Sequence, residues 1–327
     1  MILAIWDVMC ISLTAVGSMF YRSARLTHRS WRAEMVCRLA RRLLDKSLGK
    51  PASWLRQRQS LLVMIGANYF KVNKVKNHYA DVPCVSVYPK YFEAHATHVE
   101  HDVIVYFHGG GYVVGSAKGY TNTLAEIACR CQAKVIGVEY RLAPEHPVPA
   151  AQEDCLAVVE EVLARKQAQQ RVILMGDSAG GGLVLSVLNA LVQADREKAI
   201  DLAVLISPWA APYAPERLSV ENEAHDLVSE ARLNTWVTDV HVVPDEGKQH
   251  IDFRDTDFSL FPPVYIQSAG AEILIGQVHQ LVEEMQRQNV DVQHDSYPDM
   301  FHVFQTLSPL VPEADAALNA IARRVGT

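Results

Sequence analysis

Short β-rich runs and helical patterns alternate along this chain of 327 residues from about residue 83 onward. The run over residues 134–140 is typical of a strand that is buried on both faces. Such alternation predicts an α/β fold, in which a mostly parallel sheet is covered by helices on both faces. The expected strands cover residues 83–89, 102–108, 134–140, 171–176, 202–208, 263–270 and 290–298, and the expected helices cover residues 123–132, 150–166, 179–192, 278–285 and 313–325.

Two segments lie outside this alternation. Residues 1–80 precede it, and residues 209–260, rich in Pro, Asp, Glu and His, interrupt it between two strands. Because active sites of open α/β sheets lie in loops at the carboxyl ends of the strands, we expect both segments to form a cap there. The predicted organisation is N-terminal cap helices over 1–80, a sheet domain over 81–208 and 261–327, and a cap insertion over 209–260.

Residues 1–20 are mostly apolar, and an arginine-rich stretch follows them. Unlike a secretory signal, the segment has no Lys or Arg before its apolar run, and Asp7 makes it marginal as a spanning helix. Amphipathic helices packed on the body of the protein are the favoured interpretation. Peripheral contact with a membrane surface, and a cleaved or exported segment, stay open as alternatives.

Charge and cysteine usage limit the partners and the compartment. The formal net charge is −6 and no run resembles a nucleic-acid-binding motif, so no nucleic acid partner is expected. The six cysteines form neither a CxxC pair nor a zinc-finger spacing, which predicts free thiols in the reducing cytoplasm. The expected partner is a small-molecule substrate, without cofactor or metal, and the sequence indicates no particular oligomeric state.

Gly176-Asp177-Ser178-Ala179-Gly180 matches G-x-S-x-G directly after an expected strand and directly before an expected helix. In that context the serine occupies a sharp strand-to-helix turn, whose neighbours two residues away must be small. The turn exposes the hydroxyl at the positive end of a helix, where negative charge is favoured. We therefore predict that Ser178 is a nucleophile.

His108-Gly109-Gly110-Gly111 follows the expected strand over 102–108. Consecutive glycines after a strand allow backbone N–H groups to converge on one point, as a developing oxyanion requires. Gly110 and Gly111, together with Ala179 after the serine, are the predicted donors. His108 precedes the nucleophile, and we interpret it as a structural residue that holds this loop by hydrogen bonding.

A serine hydroxyl needs a base to take its proton, and folds with this turn carry the catalytic residues in the order serine, acid, histidine. His302 in YPDMFHVF follows the last expected strand and is the predicted base. Glu272 is the first carboxylate after the strand over 263–270 and is the predicted acid. Asp299 and Asp295 are the alternative acids.

Four blocks resemble the hormone-sensitive-lipase-like esterases of the α/β-hydrolase family over roughly residues 80–310: YFHGGGYVVGS, EYRLAPEHPVPAAQED, GDSAGGG and YPDMFHVF. The resemblance implies an eight-stranded sheet with a helical cap, a Ser178–His302–Glu272 triad, and an oxyanion hole formed by Gly110, Gly111 and Ala179. The resembled family often has aspartate at the acid position and a second carboxylate a few residues later, whereas the segment from Glu272 to Gly276 keeps one acid and lacks the other. Asp299 replaces a common glycine, which would place a carboxylate near the base and alter its pKa.

The expected activity is hydrolysis of short- to medium-chain carboxylic esters through an acyl-enzyme, the chain lengths being those that the resembled family favours. Amide hydrolysis, deacetylation or acyl transfer on the same residues stays open. A ligand-binding protein without catalysis is the alternative from another class, and the presence of His302 disfavours it. The cap segments are expected to determine which ester is accepted.

Overall fold

The computed structural model describes residues 26–62, 71–94, 101–240, 252–254 and 256–327, and it contains an eight-stranded sheet. The strands are β1 (Val72–Tyr79), β2 (Val82–Pro89), β3 (Val103–Phe107), β4 (Lys134–Val138), β5 (Val172–Asp177), β6 (Leu202–Ile206), β7 (Val264–Ala269) and β8 (Val292–Tyr297). Their order in the sheet is β1-β2-β4-β3-β5-β6-β7-β8. β2 pairs antiparallel with β1 and β4, and every other pairing is parallel.

The described helices are α1 (Trp31–Lys46), α2 (Ala52–Leu62), α3 (Tyr91–Ala94), α4 (Thr121–Cys131), α5 (Ala150–Ala164), α6 (Ala179–Gln193), α7 (Glu230–Val240), α8 (Ile275–Arg287) and α9 (Glu313–Val325). α4 and the second half of α9 bury their apolar side chains in a core cluster on one face of the sheet, whereas α5, α6 and α8 bury theirs in a second cluster on the other face. Successive side chains of β3 alternate between these two clusters: Ile104 and Tyr106 join the first, and Val105 and Phe107 the second. Burial on both faces explains why central strands such as β3 and β6 are continuously apolar.

The predicted fold class, a mostly parallel α/β sheet with helices on both faces, is confirmed. The prediction that residues 1–80 lie wholly outside the sheet is wrong, because β1 occupies residues 72–79. Among the described residues β1 is an edge strand that pairs only with β2, and Val72 and Tyr79 at its ends are its buried residues. Its sequence VNKVKNHY therefore lacks the apolar pattern of an internal strand.

The N-terminal helices and the insertion after β6 contact each other, and we call α1, α2 and residues 209–240 the cap. Arg41 on α1 donates from its guanidinium to the carbonyl of Glu223 at 2.7 Å. Arg232 on α7, itself buried, donates to the carbonyl of Leu44 at 2.7 Å. These contacts between charged side chains and helix-end carbonyls join the two sequence segments into one layer.

The segment over residues 1–20 lies outside the described residues, as do Cys10 and residues 241–251. Within the described part of the chain, no helix combines the length and apolar character needed to cross a membrane. The remaining five cysteines are free thiols.

Candidate active site

Ser178 occupies the turn between β5 and α6 with φ 53° and ψ −121°. This conformation is uncommon for a residue with a side chain and stores backbone strain, as such nucleophile turns do. A Cβ on Gly176 would collide with the backbone of Gly180, and a Cβ on Gly180 would collide with the carbonyl of Phe107. The two glycines are therefore required for the chain to pass this close to itself at the turn.

Ser178, His302 and Glu272 form one buried chain of hydrogen bonds. His302 Nε2 lies 2.9 Å from Ser178 Oγ, and His302 Nδ1 lies 2.7 Å from Glu272 Oε2. The second carboxylate oxygen of Glu272 accepts a hydrogen bond from the N–H of Ala269 at 3.0 Å, which fixes the carboxylate plane. A neutral imidazole in this setting donates from Nδ1 to the carboxylate and accepts at Nε2, so it can take a proton from the serine hydroxyl.

The pKa of His302 is raised above its ordinary value of 6.5. Burial by itself would lower this pKa, but the hydrogen bond and charge of Glu272 outweigh it, with further contributions from the charges of Asp226 and Asp177. The surroundings therefore stabilise the protonated form of the His302 imidazole.

The glycine loop after β3 is tied to the serine turn by the carboxylate of Asp177. Asp177 accepts hydrogen bonds from the N–H of Gly109 at 3.0 Å and from the hydroxyls of Tyr106 at 2.8 Å and Tyr120 at 3.0 Å. Burial raises the pKa of Asp177 to about 6 although these three donors lower it. A Cβ on Gly109 would collide with this carboxylate, so a side chain cannot replace the hydrogen atom there.

Gly110 and Gly111, the next two residues of that loop, have φ of 123° and 60°. The carbonyl of Gly110 accepts from the N–H groups of Val113 at 3.1 Å and Val114 at 2.9 Å, so the chain turns back at this point. Ala179 is the first residue of α6, and an N–H in the first turn of a helix has no partner within the helix. Donors of this type suit a developing negative charge.

His108 is buried beside the glycine loop. Its Nδ1 is 2.8 Å from the carbonyl of Gly109, and its ring stacks on Tyr140 at 4.2 Å between centroids. Burial lowers the pKa of His108 to about 4, so the ring is neutral at pH 7. Its contacts support the glycine loop and do not include Ser178.

A protein-family profile described as an alpha/beta hydrolase fold matches residues 104–306. This chain belongs to the α/β-hydrolase family. It is 30% identical to an acetyl-hydrolase of Streptomyces hygroscopicus over 222 residues, covering 66% of this chain and 72% of the relative. It is also 30% identical to an esterase of Acinetobacter venetianus over 225 residues, covering 67% and 73% of the two chains.

Solved structures assign this α/β-hydrolase to the hormone-sensitive-lipase-like esterases. A crystal structure of an esterase from the bacterial hormone-sensitive lipase family superimposes with a TM-score of 0.78 and 26% identity, covering 88% of this chain and 95% of the other. A hormone-sensitive lipase from a metagenome library gives a TM-score of 0.79 and 26% identity, covering 88% and 96%. The protein is therefore a hydrolase that acts on carboxylic ester bonds.

The cap of this esterase lies directly over the glycine loop. A Cβ on Gly111 would collide with the indole ring of Trp236 on α7, so the ring rests against that glycine. Gly109 and Gly110 of the same loop line a cavity of about 260 Å³. Its lining combines the loop with apolar cap residues and includes Leu43, Leu44, Gly109, Gly110, Leu227 and Leu307.

Contrary to expectation, the Asp299 carboxylate is not among the main charges that act on the pKa of His302. That carboxylate accepts from the backbone N–H of His28 at 2.8 Å, and the second carboxylate whose charge acts on the esterase's His302 is Asp226. Asp299 has φ 64°, a conformation that favours glycine and that Asp tolerates better than most residues. The other alternative acid, Asp295, accepts from the hydroxyl of Tyr265 at 2.5 Å.

Asp226 is the residue that sequence reasoning did not find. It lies in the insertion, far along the chain from both Glu272 and His302, and no motif surrounds it. The only local signal is a single carboxylate between His225 and an apolar pair, a pattern too common to single out.

Proposed function

We propose that this esterase hydrolyses short- to medium-chain carboxylic esters through an acyl-enzyme on Ser178. His302 takes the hydroxyl proton as Oγ attacks the ester carbonyl, and Glu272 holds the imidazole in the required tautomer. The N–H groups of Gly110, Gly111 and Ala179 stabilise the tetrahedral oxyanion. His302 then gives its proton to the leaving alcohol, and a water molecule activated by the same base releases the carboxylic acid.

The observation that carries this proposal is the continuous hydrogen-bond chain from Ser178 through His302 to Glu272, at 2.9 and 2.7 Å. All three side chains are buried, so the serine hydroxyl is held with its base and not with bulk water. The strained turn at Ser178 supports the same role, because strain of this kind persists where the surrounding structure requires it.

The preference for shorter acyl chains rests on the cavity beside the glycine loop. Its volume of about 260 Å³ lies just below the range of about 300–1,000 Å³ that is common for drug-sized ligands. Leucines dominate its apolar lining, which suits an alkyl chain. The name of one relative, acetyl-hydrolase, agrees with a small acyl group.

A series of p-nitrophenyl esters from acetate to dodecanoate tests the proposal. We expect the largest kcat/KM among the short and medium chains and a decline towards dodecanoate, because the cavity cannot bury the longer chain. Diethyl p-nitrophenyl phosphate should release one equivalent of p-nitrophenol and leave its phosphoryl group on the peptide that contains Ser178. A kcat/KM that rises through dodecanoate, or a label on another residue, would contradict the proposal; a faster reaction with the matching anilides would favour amide hydrolysis.

The pH dependence of kcat/KM follows from the raised pKa of His302. The base accepts a proton only when the imidazole is neutral, so activity should rise with pH through an acidic limb. Because the Glu272 carboxylate raises this pKa, we expect the midpoint of the limb above 6.5. Titration of the released acid in a pH-stat measures the profile without interference from the ionisation of p-nitrophenol. A midpoint below 6.5 would contradict the assignment of His302 beside an ionised Glu272.

A further inference from the structure

Asp226 presents a fully buried carboxylate to the loops that carry the acid and the base. It follows the 3-10 helix Val220–His225 of the cap insertion, and only 2% of its surface is exposed. One carboxylate oxygen accepts from the backbone N–H of His302 at 2.9 Å and of Leu227 at 2.7 Å. The other accepts from the N–H of Ile273 at 2.8 Å.

Through these bonds the Asp226 carboxylate holds the backbone at both ends of the Glu272–His302 interaction. Ile273 follows Glu272 directly, so holding its N–H fixes the backbone beside the acid, and the bond to the His302 N–H fixes the backbone of the base. The 2.7 Å contact between the two side chains therefore depends on a carboxylate that belongs to neither loop. Small errors in such a geometry have large kinetic effects, since catalytic groups act only in a narrow range of positions.

Neighbouring residues of the insertion lie against the loop that follows β7. The N–H of Ser219 donates to the carbonyl of Ile273 at 2.8 Å, and the side-chain amide of Asn222 donates to the carbonyl of Glu272 at 3.1 Å. At Gly276, a Cβ would lie only 2.6 Å from the carbonyl oxygen of Arg217. The close approach of the insertion thus occupies the space that a side chain at position 276 would need.

The loop of the base is held to the cap through Arg29 as well. Its guanidinium donates to the carbonyl of Asp299 at 2.6 Å and to the carbonyl of His225 at 2.8 Å, and it lies 5.3 Å from the ring of Phe301. The buried guanidinium of Arg29 therefore holds both His225, which precedes Asp226, and the segment that precedes His302.

We propose that Asp226 is a positioning residue for the catalytic base, and that the cap insertion supplies it as the second carboxylate of the catalytic centre. It acts through the backbone of His302 and Ile273 and through its negative charge, which stabilises the imidazolium formed during acylation. The proposal rests on the function proposed above. It makes the insertion a part of the catalytic machinery in addition to a cover over the substrate.

Burial raises the pKa of Asp226 above its ordinary value, but its N–H donors and the charge of His302 lower it and favour the ionised form. Two titratable groups of the catalytic loops face Asp226, namely Glu272 and His302. Asp226 also lines a cavity with its neighbour His225 and with charged or titratable residues of the N-terminal segment: Arg29, Glu34, Cys37, Arg38, Arg41 and Arg42. Glu272 opposes the ionisation of Asp226, whereas the imidazolium and the arginines favour it.

Asp226→Asn tests the proposal, because it keeps the size of the side chain and removes the charge and one acceptor. We expect kcat for p-nitrophenyl butyrate to fall about 100-fold while KM changes little, because the base is displaced and the substrate pocket is not. Labelling by diethyl p-nitrophenyl phosphate should slow by the same factor. The acidic limb of kcat/KM should move to lower pH, since one of the charges that raise the pKa of His302 is gone.

Asp154→Asn is the matched control. Asp154 is also buried and also accepts a backbone N–H, from Arg141 at 2.9 Å, but it contacts neither catalytic loop. We expect this variant to lower Tm and to leave kcat and the acidic limb unchanged. If Asp226→Asn likewise lowers Tm alone, Asp226 only supports the fold and the proposal is wrong.

Asp226→Glu decides the question if Asp226→Asn does not fold. It keeps the charge but moves it by one methylene, so kcat should fall while the acidic limb stays near that of the wild type. Wild-type kcat in Asp226→Glu would overturn the positioning role. Failure of the proposed function would give a different result from failure of the positioning role. In that case the wild-type protein itself would neither hydrolyse the esters nor accept the phosphoryl label.

Discussion

Ser178→Ala is expected to lower kcat for p-nitrophenyl butyrate about 10⁶-fold, with little change in KM. The Ser178 hydroxyl is the group in the hydrogen-bond chain that forms the acyl-enzyme. It is also the group whose proton His302 Nε2 accepts. Without it, the oxyanion donors and the cap can still bind the ester but cannot open the covalent route. The residual rate should then be that of water attack in an otherwise intact site.

Ser186→Ala is the control for that result. Ser186 lies on α6, the same helix that Ser178 precedes, and it is buried to a similar degree. Its replacement should leave kcat within the error of the wild type, because it lies outside the hydrogen-bond chain. Measurement of both purified variants, with Tm recorded for each, separates loss of chemistry from loss of fold. Activity in Ser178→Ala within tenfold of the wild type would rule out Ser178 as the nucleophile.

The parts of this site that the sequence predicts are those that depend on local geometry. The strand, the turn and the helix around Ser178 are contiguous, so the glycines two residues either side of it identify the turn from the sequence. The glycine loop is local in the same way, and the Asp177 that ties it to the turn belongs to the serine motif itself. Buried strands such as β3 and β6 are predictable because each of the two is a continuous apolar run.

The parts that sequence reasoning does not reach depend on contacts between distant segments or on exposure. β1 is polar because it is an edge strand, so neither apolar runs nor period-two alternation identifies it. Asp226 acquires its role only when the insertion folds back over two loops that are 47 and 76 residues away along the chain. For Asp299, the sequence shows a carboxylate three residues before the base, but the left-handed backbone turns that carboxylate towards His28.

Glu272→Gln is expected to lower kcat about 10⁴-fold, the second largest effect that the structure predicts. Both oxygens of the carboxylate accept hydrogen bonds, one from Ala269 N–H at 3.0 Å and one from His302 Nδ1 at 2.7 Å. A glutamine has one acceptor and one donor group in the same place. If its oxygen faces Ala269, its NH₂ requires the imidazole to accept at Nδ1, which leaves a proton on Nε2 and prevents the base from taking the serine proton.

Glu272→Asp, Asp299→Asn and Asp295→Asn distinguish the acid from its alternatives. The aspartate variant keeps two acceptors and the charge, so its loss should be much smaller than that of Glu272→Gln. Asp299→Asn and Asp295→Asn should retain wild-type kcat, because those carboxylates bond to His28 and Tyr265. A large loss in either variant together with an active Glu272→Gln would transfer the role of acid to that aspartate.

The pH profile of Glu272→Gln separates this electrostatic role from simple support of the loop. Glu272 is the main group that raises the pKa of His302 against the opposing effect of burial. With the charge removed, burial dominates, so the residual kcat/KM should show an acidic limb displaced to lower pH than in the wild type. Asp226→Asn should displace the limb in the same direction through a group that never touches the imidazole ring. If only Glu272→Gln shifts the acidic limb, the charge that raises the pKa of His302 comes from Glu272 alone. Asp226 then acts only through its hydrogen bonds to the backbone, and the electrostatic part of its proposed role is wrong.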